Sequence, residues 1–137
     1  MPLLSLRGRP RTLGLTDGKL SACPSSPNCV CSDETDTSSA IQALLPAIDA
    51  KEAWPLVEQA VRDLPRTRIV SNSTEYIHAE CASSLLGFVD DLELHLRAHD
   101  GVIAVRSASR LGYSDFGVNR RRVEALRTAL REKSIVR

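Results

Sequence analysis

Two stretches of this sequence concentrate side chains able to do chemistry. The first, Cys23-Pro-Ser-Ser-Pro-Asn-Cys29-Val-Cys31, places three of the four cysteines within nine residues. Cys23 and Cys29 bracket a loop stiffened by two prolines, which can bring their sulfurs to bridging distance. The loop reads as a structural one with free or bridged thiols; a redox pair and a metal site are the other uses open to it. Zinc fits poorly. Cys-x5-Cys-x-Cys is not a usual ligand spacing, and only the distant Cys81 offers a fourth thiol. No metal site is predicted, and in a reducing cytoplasm the pair would stay mostly reduced.

The second stretch runs from Arg106 to Arg122 (RSASRLGYSDFGVNRRR), with Asp90 and Asp91 on an earlier segment. Ser107, Ser109 and Tyr113 supply hydroxyls, and Gly112 and Gly117 allow close approach of backbone. A helix beginning near Gly117 would offer unbonded amides and the positive end of its dipole. Arg106, Arg110, Arg120 and Arg121 add charge and forked donors. With Asp90, Asp91, Asp115 and Asn119, these residues form a candidate site for a small anionic ligand or an acidic protein partner. The competing reading is a closed ion-pair network that fastens the last helix to a sheet. Neither a Walker loop nor a dinucleotide fingerprint is present.

Histidine chemistry has less support. His78, His95 and His99 are the only histidines. His78 and His95 with Glu80 or Glu93 make a conceivable two-histidine, one-carboxylate site, but strand alternation places them on a face expected to meet solvent. No serine sits on a strained elbow, so a Ser–His–Asp triad is discounted.

The elements that position these residues follow from periodicity. Residues 1–40 are broken by prolines 2, 10, 24 and 27 and glycines 8, 14 and 18, and read as irregular chain on the domain surface. A helix is predicted over about 50–64, capped by Asp49 with Glu52 three residues on, its apolar face carrying Trp54, Val57, Val61 and Leu64. Short strands follow at Arg68–Ser71, Glu75–Ala82, Leu86–Ala98 and Val102–Ser107, with Asp100-Gly101 as a tight turn. Alternation sends Phe88, Leu92, Leu94 and Leu96 inward and His78, Glu80, Asp91, Glu93, His95 and Arg106 outward. Asp90 falls on the apolar side and needs a cation, with Arg110 or Arg120 the expected partner. Cys81 faces the same side and reads as a small buried hydrophobe. A last helix is predicted over about 117–133, capped by Ser114 or Asp115, with Val123, Leu126 and Leu130 inward.

Composition bounds the class. Of 137 residues, 42% are hydrophobic and 26% charged, which fits one ordinary globular domain and excludes wholesale disorder. No apolar run reaches the ~18–20 residues of a membrane span. The formal net charge of +1 and an aromatic content of 4% disfavour nucleic acid as a partner. Charge is uneven along the chain: residues 21–105 carry −8 and residues 106–137 carry +6, which suits internal pairing as well as an anion site. Met1–Leu6 is too short for an export signal and arginines follow it, so the chain as written is expected in the cytoplasm.

The blocks CPSSPNCVCS, GFVDD and RSASRLGYSDFGVNRRRVEALR resemble those of the family known as domain of unknown function fourteen ninety-nine, over about Leu13 to Leu130. The resemblance implies kinship without an established activity. It implies relatives in bacteria and plant plastids that carry an export signal, lipid anchor or membrane helix ahead of the domain. The family pattern has cysteines at Cys23 and Cys29; Cys31 and Cys81 are additions here. The fold expected is α+β: an antiparallel meander of about four strands flanked by an N-terminal and a C-terminal helix, with residues 1–12 an irregular tail and 13–137 a single domain. The function expected is non-catalytic binding of a ligand or protein, with an enzyme as the alternative: thiol-based at Cys23 and Cys29, or hydrolytic at the Arg/Asp/Tyr cluster.

Overall fold

The structure, a computed structural model, describes residues 12–36, 38–83 and 88–137. The expected N-terminal tail up to residue 11, and Leu86 and Gly87 at the expected start of a strand, lie outside the described residues. Seven strands and two helices follow in the order β1 (Leu15–Thr16), β2 (Lys19–Leu20), β3 (Cys29–Cys31), α1 (Ala50–Arg62), β4 (Thr67–Asn72), β5 (Tyr76–Ala82), β6 (Val89–Arg97), β7 (Val102–Ser109) and α2 (Val118–Glu132). β4 to β7 form the expected antiparallel meander. β3 adds a fifth strand beside β7, giving the order β3-β7-β6-β5-β4, and β1 and β2 make a separate hairpin.

Both helices cover one face of the sheet. α1 starts where Asp49 accepts hydrogen bonds from the amides of Lys51 and Glu52, satisfying two of the donors a helix start leaves unpaired. Its inward stripe of Ala53, Trp54, Val57, Ala60 and Val61 meets Val123, Leu126 and Leu130 of α2 over Ile77, Ala79, Leu92, Leu94, Ile103 and Val105 of the sheet. Trp54 is the core anchor expected, with its indole N–H donating to the Ser73 carbonyl. Cys81 is buried in the same core.

The opposite face departs from expectation. His78, Glu80, Asp91, Glu93, His95 and Arg106 all project there, yet all six are buried. The chain between Thr12 and Glu34, expected as irregular surface chain, covers this face at Glu93 and Arg106, while Arg68 and Arg110 hold Glu80. Alternation fixes which face a residue takes but says nothing of what lies over it. The cover is bound by side chains reaching backbone. Glu93 accepts from the Gly14 amide at 2.9 Å, Asp33 from the Leu20 amide at 3.0 Å and Glu34 from the Cys23 amide at 2.7 Å. Arg97 grips both oxygens of Asp33 at 2.7 Å. β3 escaped notice because three residues within a Pro/Ser-rich stretch show no periodicity.

Two smaller expectations are corrected. The β6–β7 turn spans Ala98–Gly101 rather than two residues, with the Asp100 amide bonded to Arg97 O and that of Gly101 to Ala98 O. Gly101 supplies the positive φ, 67°, that the turn requires. Phe88 is 39% exposed instead of inward, because it lies just ahead of β6.

The fold's two kinds of support differ in size. Leu126→Ala, in the sealed interface between helices and sheet, is expected to cost about 2–5 kcal/mol in urea unfolding. Asp49→Ala is expected to cost about 1 kcal/mol. Equal losses would contradict this division.

Candidate functional site

The residues singled out between Asp90 and Arg121 part into two groups, because the sheet separates them. Strand register puts Asp90, Ser107 and Ser109 on the helix side and Asp91, Arg106 and Ala108 on the covered polar side. Arg110, two residues past Ala108, continues the polar side.

The helix-side group is closed. Asn119 is fully buried, and its carbonyl oxygen accepts from Ser107 Oγ at 2.7 Å and Arg122 Nη1 at 2.8 Å. Its amide nitrogen donates to Asn28 O, Ser109 Oγ and an Asp115 oxygen. Asp90 is paired with Arg122 at 2.7 Å, not with Arg110 or Arg120 as expected. Arg122 is the arginine that α2 turns toward the sheet, whereas Arg110 lies across it. The start of α2 offers no room for an anion either. Asp115 accepts from the amides of Gly117 and Asn119 and fills that role itself. Gly117 takes the N-cap position with φ 81°, while the capping bonds come from Asp115, one of the two caps expected. Arg120 is turned to the carbonyls of Ser38 and Ala40, and Arg121 to that of Phe116. Tyr113 stands 73% exposed on the loop before α2.

The polar-side group is a chain of ion pairs. Arg110 Nε and Nη2 grip both oxygens of Asp91 at 2.8 Å, and Nη2 also reaches Glu80 at 2.5 Å. Arg68 holds the other Glu80 oxygen at 2.7 Å. Since an ionised Asp91 can only accept, His78 donates its Nε2–H to that carboxylate, at 2.7 Å. His78, Glu80 and Asp91 present ligand atoms within 4.8 Å of one another, a spacing that could hold a metal ion. The Arg110 guanidinium already binds two of the three. His78 and His95 are not opposite each other, since the register sets Glu93 against His78 and Tyr76 against His95, and Arg97 Nε donates to His95 Nδ1 at 3.0 Å. That bond sets the neutral tautomer with its proton on Nε2, and burial together with the neighbouring Arg97 charge pushes the His95 pKa down.

Arg106 differs from its neighbours. It is 4% exposed, and its guanidinium reaches Glu93 at 3.4 Å and the Ala22 carbonyl at 3.3 Å, both long. Its Nε, fully buried, has no hydrogen-bond partner among the described residues. Glu93 is better engaged elsewhere, accepting from the Tyr76 hydroxyl at 2.5 Å and from the Gly14 amide. Arg106 lines a cavity of about 300 Å3 between the cover and the sheet, together with Ala22, Cys23, Asp91, Ser109 and Arg110. Three sequence candidates on the polar side, Asp91, Arg106 and Arg110, thus share one concavity with Ala108, while Ser109 borders it with its hydroxyl turned to Asn119 on the helix side. The sequence reading missed Ala22 and Glu93 as the groups that hold Arg106; the placement of Glu93 directly opposite Arg106 in the register was the available signal. A wider groove of about 990 Å3 at the other end of the sheet includes His95 and His99 but none of the candidate anion-site residues.

Cys23 and Cys29 form a disulfide that ties the cover to β3. Cys31 and Cys81 are free and buried. Burial pushes the Cys31 thiol up to about 11 and raises that of Cys81, so neither is a reactive thiolate near neutrality.

The carboxylates give the protein an acid limit. Hydrogen bonds from Arg97 hold Asp33 below the ordinary carboxyl range. Burial opposes the charges of Asp91 and Asp115, but bonds from Arg110 and His78 to the first, and from the Asn119 and Gly117 amides to the second, leave both lowered. These three bind protons less readily folded than unfolded, so their contribution is complete above about pH 4 and drains away as pH falls below it. Asp90 acts in the opposite sense: burial outweighs Arg122 and raises its pKa, so its protonation offsets part of the loss. Urea unfolding is expected to show stability falling steeply below about pH 4. Asp33→Asn is expected to lower stability at neutral pH and make the acid fall shallower. Stability unchanged down to pH 2.5 would contradict the pairing described.

No curated protein and no solved structure matches the chain. A family model described as "Protein of unknown function (DUF1499)" matches residues 19–130, a span that takes in the bridge, the polar face, the Arg106 cavity and nearly all of α2. On that match the chain belongs to the DUF1499 family, and Cys29–Cys31, Asp90–Asp91 and Arg106–Ser109, from the three blocks that carry the resemblance, lie on adjacent strands of its sheet.

Proposed function

We propose that this chain is a non-catalytic binding domain whose ligand is a small anion, a carboxylate or a phosphate, received in the cavity beside Arg106. The observation that supports this reading is a buried arginine that borders a cavity and whose Nε has no partner among the described residues. A buried donor without a partner costs about 1–3 kcal/mol, and more when charged. An anion accepting from it removes that cost and gains a charge-assisted bond. The cavity, about 300 Å3, sits at the small end of the range for ligand pockets and suits a compact molecule. Arg110, whose Nε and Nη2 are engaged by Asp91 and Glu80, adds positive field beside it. An acidic protein partner would enter only through one side chain of similar size.

The reading narrows the candidate site. Asp90, Ser107, Ser109, Asp115, Asn119, Arg120 and Arg121 belong to the architecture that fastens α2, and the ligand residues are Arg106, with Arg110 and Asp91 around it. The Cys23–Cys29 bridge favours an oxidising compartment over the cytoplasmic expectation.

Inorganic phosphate and acetate, titrated in thermal unfolding, test the proposal. A ligand at 100 times its Kd adds about 2.7 kcal/mol of stability, and the melting temperature is expected to rise by several degrees. Arg106→Met is expected to abolish the rise. Should that variant fail to fold, Ala108→Leu, which narrows the cavity and leaves Arg106 in place, is expected to do the same. No response to either anion in the parent protein would overturn the reading.

A further inference from the structure

The cavity that Arg106 lines is also lined by Cys23 and Pro24, so one half of the disulfide and a guanidinium whose Nε has no partner among the described residues border one small chamber. The two are linked through adjacent backbone: Arg106 Nη2 donates to the carbonyl of Ala22, the residue before Cys23. The bridge is asymmetric. Cys23 is half-buried beside the cavity, whereas Cys29 is 4% exposed and fixed in β3 opposite Ala108. A nucleophile entering the chamber therefore meets Cys23 first. The acids near it are engaged: Asp91 by His78 and Arg110, Glu93 by Tyr76 and Gly14, and Glu34 by the Cys23 amide.

Resting on the anion-binding reading above, we infer that the ligand of this cavity is a small thiol that carries a carboxylate, and that it exchanges with the bridge at Cys23. The carboxylate accepts from Arg106 Nε, and the thiolate attacks Cys23 Sγ. A sulfur–sulfur bond forms between ligand and Cys23 as the Cys23–Cys29 bond breaks. Cys29 leaves as a thiolate and takes a proton from water. A second thiol attacks the mixed disulfide and releases the ligand as its disulfide and Cys23 as a thiol. Two ligand thiols are thereby oxidised and the bridge is reduced by two electrons; the ligand's disulfide runs the exchange backwards. The buried Cys31 and Cys81 take no part. Reduction unties Ala22–Pro24 from β3, so the redox state of the thiol pool sets how firmly the cavity is roofed.

The test uses the oxidised full chain with three thiols of like size: 3-mercaptopropionate, 2-mercaptoethanol and cysteamine. Each rate is divided by the same thiol's rate with a small free disulfide, which removes differences in intrinsic reactivity. Acid-trapped adducts are located by mass spectrometry. The carboxylate thiol is expected to be favoured by at least about tenfold over the cationic one, the factor a charge-assisted hydrogen bond carries. The adduct is expected on Cys23, propionate is expected to slow the exchange, and Arg106→Met is expected to erase the preference, with Ala108→Leu doing so if that variant does not fold. Equal relative rates, or an adduct on Cys29, would overturn the inference. If rates are equal while propionate still raises the melting temperature, only the thiol step fails and the anion cavity stands. If propionate changes neither, both readings fall.

Discussion

The structure depends on buried charge. A sheet covered on both sides must satisfy whatever its strands present, and one face of this sheet presents carboxylates, histidines and arginines in place of hydrocarbon. Unpaired, such groups would cost several kcal/mol each. The remedy visible here is dense pairing: Arg110 with Asp91 and Glu80, Arg68 with Glu80, Arg97 with Asp33, Tyr76 with Glu93. Because a buried ion pair contributes little net stability over an apolar pair of equal volume, this face is better understood as specifying one arrangement of the cover than as strengthening the fold.

That requirement explains the N-terminal segment. Residues 12–34 have too few apolar groups to form a second core; Leu20 with Cys31 and Ala104 makes only a small cluster. Their backbone amides instead serve as hydrogen-bond donors to Glu93, Asp33 and Glu34, and the Ala22 carbonyl as an acceptor for Arg106. The disulfide adds a covalent tie between this cover and the sheet edge. Helices supply the stability on one side, and polar recognition supplies the geometry on the other. The place where pairing is incomplete, Arg106, is where a guest has something to gain.

Much of the architecture was legible in the sequence. Helical spacing from Trp54 to Val61 and from Val123 to Leu130 fixed both helices, and alternation from Tyr76 to Ser107 fixed the meander and the faces its residues take. The burial of Asp90 and its need for an arginine were legible too, but the partner was not. Choosing Arg122 over Arg110 requires knowing that one sits on a helix turned inward and the other across the sheet. The cover was the larger gap. Its chain carries no periodic signal because backbone-to-side-chain bonds hold it, and the same absence concealed β3. Of the candidate site, the residue types were found and the arrangement was not: a sequence shows that Arg106 and Arg110 are both cations, not that Asp91 and Glu80 grip one while the other keeps a buried Nε with no partner among the described residues.

The most direct measurement is the nitrogen–proton signal of the Arg106 Nε–H in an NMR titration with a small carboxylate. Burial should keep that proton in slow exchange with water and make its resonance observable. The account predicts a saturable shift of this signal, larger than any shift at Arg110 or Arg122, as the anion accepts from it. A signal that stays fixed while carboxylate saturates, or that moves only in step with exposed arginines, would contradict the claim that Arg106 is held open for a ligand.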